Sequence, residues 1–368
     1  LQLSAPSDLG RNTLLPWLDA FQAEHPQLKG QVAQLAALNA QWGELTQQVG
    51  LAAMKRGANP DRRIVCNGAY YLGRRFACLG RHGALDMRGA IKNSCNVYFM
   101  TLAVEMGPDA IAETAREMGL GQIFDIGIPG QKRGLVPDRQ WRRDNPVRGD
   151  GKWYPGETPS YGIGQGALNV NALQLAVYTA RLANGRKAVT PRLIKSVGGV
   201  EQASGADFAD LPYDPEALKV LRDGMEAVTD IGGTGFRNSQ LGLGPVRMAG
   251  KTGTAQAQNY GAGSRKGAGR PWAQKDHNLF IAYAPTDNPR YAVSVIVQHG
   301  GMGGGTAGAP RAREVMKVAL LKDPEIRARI EQSGFAETED AGAAAQGAVP
   351  EAVQPDAAAA PAPAEPPR

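Results

Sequence analysis

Two short stretches carry residue types whose spacing can do chemistry: Lys251-Thr252-Gly253-Thr254 in GPVRMAGKTGTAQAQ, and Ser94-Cys95-Asn96 in IKNSCNVYFMTLAVEMG. A lysine ammonium projecting from a strand sets fixed positive charge beside a substrate carboxylate and supports proton transfer between neighbouring hydroxyls. The Thr252 hydroxyl can bind the same carboxylate. Gly253 leaves the strand edge bare, so that a peptide-like substrate can lie along the backbone, and the Thr254 N–H can then polarise a carbonyl oxygen. A serine hydroxyl and an asparagine amide one residue apart on an irregular turn can relay a proton and hold a substrate amide. Taken singly, the first stretch is also a Gly-rich turn with a surface lysine, and the second a pair of helix-capping polar residues. A phosphate-binding loop is excluded, because Pro245 stands where the first glycine of that loop is required and Gly244 is one position early.

The 368 residues suffice for one large domain or two smaller ones, and 42% hydrophobic with 21% charged content is ordinary for a core-forming protein. No apolar run is long enough to span a bilayer. The sequence starts at Leu1, which reads as a fragment or processed chain, and a membrane anchor or export signal upstream is expected. The net charge of +6 is scattered, with no aromatic-studded basic stripe, which argues against nucleic acid and leaves a solvated surface or attraction to anionic wall polymer or lipid headgroups. Cys66 and Cys78 flank a hairpin with Gly73 at its turn, so a Cys66–Cys78 disulfide with Cys95 as a buried thiol is expected, three reduced core thiols being the alternative. His82 lies nearby, but no second close cysteine pair completes a ligand set, so no metal is expected. No cofactor is called for.

The elements that must position these groups follow from periodicity. Residues 32–56 read as a helix through Leu35, Leu38, Trp42, Leu45 and Val49. Two short strands are expected within 63–80, and a helical region from Asp86, as cap, to Gly107. Further helices are expected at 109–120, 169–185 and 215–230, with a long Gly/Pro/Arg/Trp-rich segment at 121–160 ending in GIGQG. Strands are expected at 246–250, 278–284 and 291–298, the last two as an antiparallel hairpin, and a closing helix at 309–330. Beyond about residue 335 the Ala/Pro-rich composition predicts a disordered tail, 336–368. Helices between early and late antiparallel strands make an α+β layout.

KTGTAQ followed by an apolar hairpin, SCN leading into VYFMTLAVEMG, and SYGIGQG leading into LQLAVYTARLANG form an ordered set. So do NPDRRIVCNGAYYLGRRFACLGRHGALDMRGAIKNSCNVYF, HNLFIAYAP and GGGTAGAPRAREVM. Over about residues 50–325 the chain resembles the transpeptidase domain of class B penicillin-binding proteins, elongation type. The resemblance implies a penicillin-binding-protein/serine β-lactamase-like α+β fold, with an antiparallel five-stranded sheet flanked by helices beside a helical subdomain. It implies three regions: an atypical segment 1–50, a transpeptidase-like domain 51–335 and the tail. It also implies peptidoglycan D,D-transpeptidation at the periplasmic face of the inner membrane. Stem peptides and β-lactams would be its ligands and a membrane glycan polymerase its partner. Ser94, Asn96, Lys251, Thr252 and Gly253 would be the catalytic set, with Thr254 and Gln165 holding the substrate. A non-catalytic scaffold, or a β-lactamase or penicillin-sensor relative, are the alternatives.

The chain departs from that family at one point. In the family the nucleophile is the serine of Ser-x-x-Lys, and no such motif occurs in this sequence. The aligned positions fall near Gly43–Gln47, where Glu44 replaces the serine and Gln47 the lysine. A glutamate cannot form an acyl-serine ester and a glutamine cannot act as base, so no acylation by penicillin is expected.

Overall fold

The protein was analysed as a computed structural model, which describes residues 40–41, 46–127, 130–146, 150–193, 196–197, 200–201, 208–255, 271–301 and 303–334. Of the helix expected at 32–56, Thr46–Lys55 is helical (α1). Ala40–Gln41 is instead extended and pairs with Asn169–Val170, and residues 32–39 and 42–45 lie outside the described residues. The tail 336–368 lies outside them as well.

Four short strands follow α1. Ile64–Cys66 (β1) pairs with Gly83–Leu85 (β4), and between them Ala69–Leu72 (β2) and Arg74–Ala77 (β3) form the expected hairpin around Gly73. Gly73 sits at φ 66°, the left-handed conformation that glycine adopts without a Cβ penalty. Asp86 caps the next helix, Met87–Lys92 (α2), by accepting from Gly89 N at 2.7 Å. The single helical region expected at 86–107 is two helices, because Ser94 at φ 49° breaks it before Asn96–Met106 (α3). Pro108–Glu117 (α4) then starts on a proline at its first position.

In the second half, Asn171 caps Ala172–Ala183 (α5) and Asp214 caps Pro215–Thr229 (α6). The central sheet has the order β7-β6-β5, all antiparallel: Ala249–Ala255 (β5), His277–Ala284 (β6) and Tyr291–Val297 (β7). The lysine motif thus lies inside a strand that begins later and runs further than 246–250. The expected closing helix starts earlier and divides into Gly304–Lys322 (α7) and Pro324–Gln332 (α8). Pro324 causes the division by holding Asp323 in extended backbone at ψ 116°, and the Asp323 carboxylate then caps α8 by accepting from Glu325 N at 3.0 Å. Of the five strands that the resemblance implies for this sheet, three are seen among the described residues. The remaining described strands are short ribbons paired elsewhere.

The alternation of β6 explains why its sequence, NLFIAYA, is apolar throughout. Leu279, Ile281 and Tyr283 enter one core cluster with residues of α1 to α6, while Phe280, Ala282 and Ala284 enter a second with α7 and α8. A sheet covered by helices on both faces buries every residue of its middle strand. β5 is the outer strand of this sheet among the described residues, and the same alternation divides its motif. Lys251 pairs with Ile281 and shares the first face; Thr252 pairs with Phe280 and shares the second.

Candidate active site

Lys251 is 2% exposed and reaches out of β5 to the start of α3. Its Nζ donates to Ser94 Oγ at 2.6 Å and to the Thr252 carbonyl at 2.9 Å. The two stretches singled out by sequence therefore meet in one buried contact. Local backbone makes it possible: Ser94, non-glycine and left-handed, is held by its own N–H to Ile91 O and by Cys95 N to Ala90 O, which turns the hydroxyl toward the sheet. Strain of this kind clusters where a side chain must be aimed. Asn96, the first residue of α3, is 6% exposed; its amide nitrogen donates to Ala77 O at 3.2 Å, and its Oδ1 has no partner. An acceptor buried without a partner is costly in an empty core and is a ready anchor for a ligand N–H.

On the other face, Thr252 Oγ1 lies 3.3 Å from Thr234 Oγ1. Gln165, in the GIGQG turn, donates from Nε2 to the Thr254 carbonyl at 3.2 Å, which brings the two expected substrate-holding residues together. Gly304 must be bare for the Gly253 backbone to keep its place. α7 begins so close to it that a Cβ at Gly304 would stand 2.5 Å from Gly253 O and 2.6 Å from Gly253 N.

Of the two positions aligned with the missing nucleophile motif, Glu44 lies outside the described residues. Gln47 is in the first turn of α1, wholly buried, and neither its amide oxygen nor its nitrogen has a hydrogen-bond partner; the Thr46 hydroxyl beside it has none either. Gln48 is turned to α4, donating to Ile111 O at 2.8 Å.

The cysteines require one correction. No Cys66–Cys78 disulfide forms: all three cysteines are free. Cys66 lies on β1, opposite Gly83, rather than facing Cys78 across the Gly73 hairpin. A compact donor group also forms where the sequence led us to expect no metal: the Cys66, Cys78 and Cys95 sulfurs and a His82 ring nitrogen all lie within 4.8 Å of one another. Three thiolates and one imidazole in a compact group are the donor set of a closed tetrahedral zinc site. The sequence counted cysteine pairs and left out Cys95, which folding brings from the serine–asparagine turn to the hairpin. A hydrogen bond with Cys95 holds the Cys78 thiol, 3.6 Å from His82 Nδ1, below its ordinary range, and the same hydrogen bond with burial pushes Cys95 up. One member of the group is thus prepared to bind as thiolate.

Residues 49–317 match the penicillin binding protein transpeptidase domain, and the chain belongs to that family. It is 34% identical over 232 residues to peptidoglycan D,D-transpeptidase MrdA of Acinetobacter baumannii, covering 61% of this chain and 33% of the relative. Its fold matches the crystal structure of Pseudomonas aeruginosa PBP2 in complex with WCK 5153, with TM-score 0.66, 30% identity, and 78% of this chain and 63% of that one covered. A structure described as the coordination of polymerization and crosslinking by a peptidoglycan synthase complex matches with TM-score 0.63 at 29% identity, over 76% of this chain and 46% of that one. The chain therefore spans about a third of the length of the curated relative.

Proposed function

We propose that this chain is the stem-peptide-binding domain of a peptidoglycan D,D-transpeptidase of elongation type, and that it holds the donor peptide without forming the acyl bond. The contact from Lys251 Nζ to Ser94 Oγ carries this reading. It fixes an ammonium and a hydroxyl beside the strand that is outermost among the described residues of its sheet, where an extended peptide can lie along the backbone edge. Asn96, Thr252, Gly253, Thr254 and Gln165 supply the remaining recognition. No residue in the sequence supplies the Ser-x-x-Lys pair that would attack the peptide, and deleting a nucleophile or its base removes most of a covalent enzyme's rate.

That same absence favours a second reading, in which the domain serves as a non-catalytic partner of a membrane glycan polymerase. Its place would be the periplasmic face of the inner membrane. No helix among the described residues is long and apolar enough to cross a membrane. Sedimentation of the purified chain with peptidoglycan separates the two. Retention on material with intact D-Ala-D-Ala ends, lost after a D,D-carboxypeptidase trims them, is expected for stem-peptide recognition. Equal retention on both contradicts it.

A further inference from the structure

We infer that Thr234 is a positioning residue for carboxylate recognition by Thr252, an inference that rests on the function proposed above. The sheet alternation separates the two halves of the lysine motif. Lys251 is fixed by Ser94 on one face, whereas Thr252 looks to the other, where neither Ser94 nor Asn96 can orient it. The neighbouring hydroxyl there is Thr234 Oγ1, 3.3 Å away. For Thr252 to donate its one hydroxyl proton to a ligand carboxylate, it must be the acceptor toward Thr234. Thr234 O–H, Thr252 O–H and carboxylate then form a chain in which each bond polarises the next.

The segment bearing Thr234 is built to hold that hydroxyl still. Gly233 N donates to Asp230 O at 2.8 Å and Gly235 N to Val228 O at 2.9 Å, bracketing Thr234 on both sides. Gly233 lies so close to α6 that a Cβ there would stand 2.2 Å from Val228 O. Asn238 Nδ2 donates to Gly305 O at 2.9 Å, tying the segment to the start of α7. A Cβ on Gly305 would in turn stand 2.6 Å from Thr234 O. Thr234 is nonetheless exposed, so its side chain supplies little core packing and its rigid backbone needs another reason.

The test is ligand-observed NMR titration of benzylpenicillin and of its methyl ester, with the wild-type chain and with Thr234→Val, Thr234→Ala and Thr234→Ser. Valine and alanine are expected to weaken the free acid about three- to tenfold, the range for a hydrogen bond between two neutral hydroxyls, and to leave the ester unchanged. Serine is expected to restore the acid. Unchanged acid affinity in both Thr234→Val and Thr234→Ala overturns the inference. So does equal weakening of acid and ester, which marks a merely structural role. A wild-type chain that binds neither compound refutes the proposed function itself, and the inference with it.

Discussion

Gly304→Ala is the most informative backbone perturbation, because α7 and the lysine-bearing strand touch there with nothing between them. An added Cβ would stand 2.4 Å from Leu279 O, 2.5 Å from Gly253 O and 2.6 Å from Gly253 N. Ordinary contact needs about 3.4 Å or more, so the helix start and the strand must part by roughly 1 Å. All three atoms are main chain in paired strands and cannot swing aside as a side chain would. Overpacking of this kind costs about 1–3 kcal/mol, and the better helix propensity of alanine offsets up to about 1 kcal/mol of it. The net loss is about 1–2 kcal/mol, or roughly 2–8 °C in melting temperature for a domain of this size. Because the displaced atoms belong to Gly253, ligand affinity should fall with stability. Gly156→Ala is the control: nothing lies within 4 Å of its added Cβ. Thermal unfolding followed by circular dichroism, with penicillin titration of both variants, reads the effect. A Gly304→Ala variant that melts and binds like wild type refutes the close approach on which the site's geometry rests.

Lys251→Met keeps the aliphatic stem but removes the donor to Ser94 Oγ; penicillin affinity should fall at least about tenfold while the chain stays folded, and unchanged affinity contradicts the role given to the ammonium. The Cys66, Cys78, His82 and Cys95 group should take up one zinc per chain. Cys78→Ser should then lower both metal content by plasma mass spectrometry and melting temperature, whereas a mapped Cys66–Cys78 disulfide in the metal-free protein contradicts the assignment. Burial, with the neighbouring His299, holds His277 below its ordinary 6.5. The unfolded chain therefore binds the proton more readily, so stability is full above 6.5 and is lost as pH falls toward the lower folded value. His277→Asn, which keeps an acceptor for His299 N, should flatten the urea midpoint between pH 7.5 and 5.5; an unchanged slope refutes this.

Helices with strong periodicity and side-chain caps were legible from sequence: Asp86 starts one helix as expected, and of Asn169 and Asn171, between which the sequence did not choose, Asn171 starts another. So was the β6–β7 hairpin, because apolar runs around PTDNPR leave few alternatives. The chemistry-bearing residues were legible as types, and their meeting followed from the family resemblance. What was hidden depended on tertiary placement. The left-handed turn at Ser94 splits one apolar helical pattern into two helices. Cys95 joins Cys66, Cys78 and His82 only because that turn packs on the hairpin. Thr234 carries no motif, and its contact with Thr252 exists only because a glycine-rich turn after α6 reaches the lysine strand.

The central claim is that this site keeps the binding half of a penicillin-recognising cleft and lacks the nucleophile and its base. Intact-protein mass spectrometry after incubation with excess benzylpenicillin, beside ligand-observed NMR on the same sample, tests it most directly. The account predicts NMR contact between protein and ligand with an unchanged protein mass. A stoichiometric adduct of one penicillin per chain contradicts it, and mapping that adduct identifies the side chain that attacked.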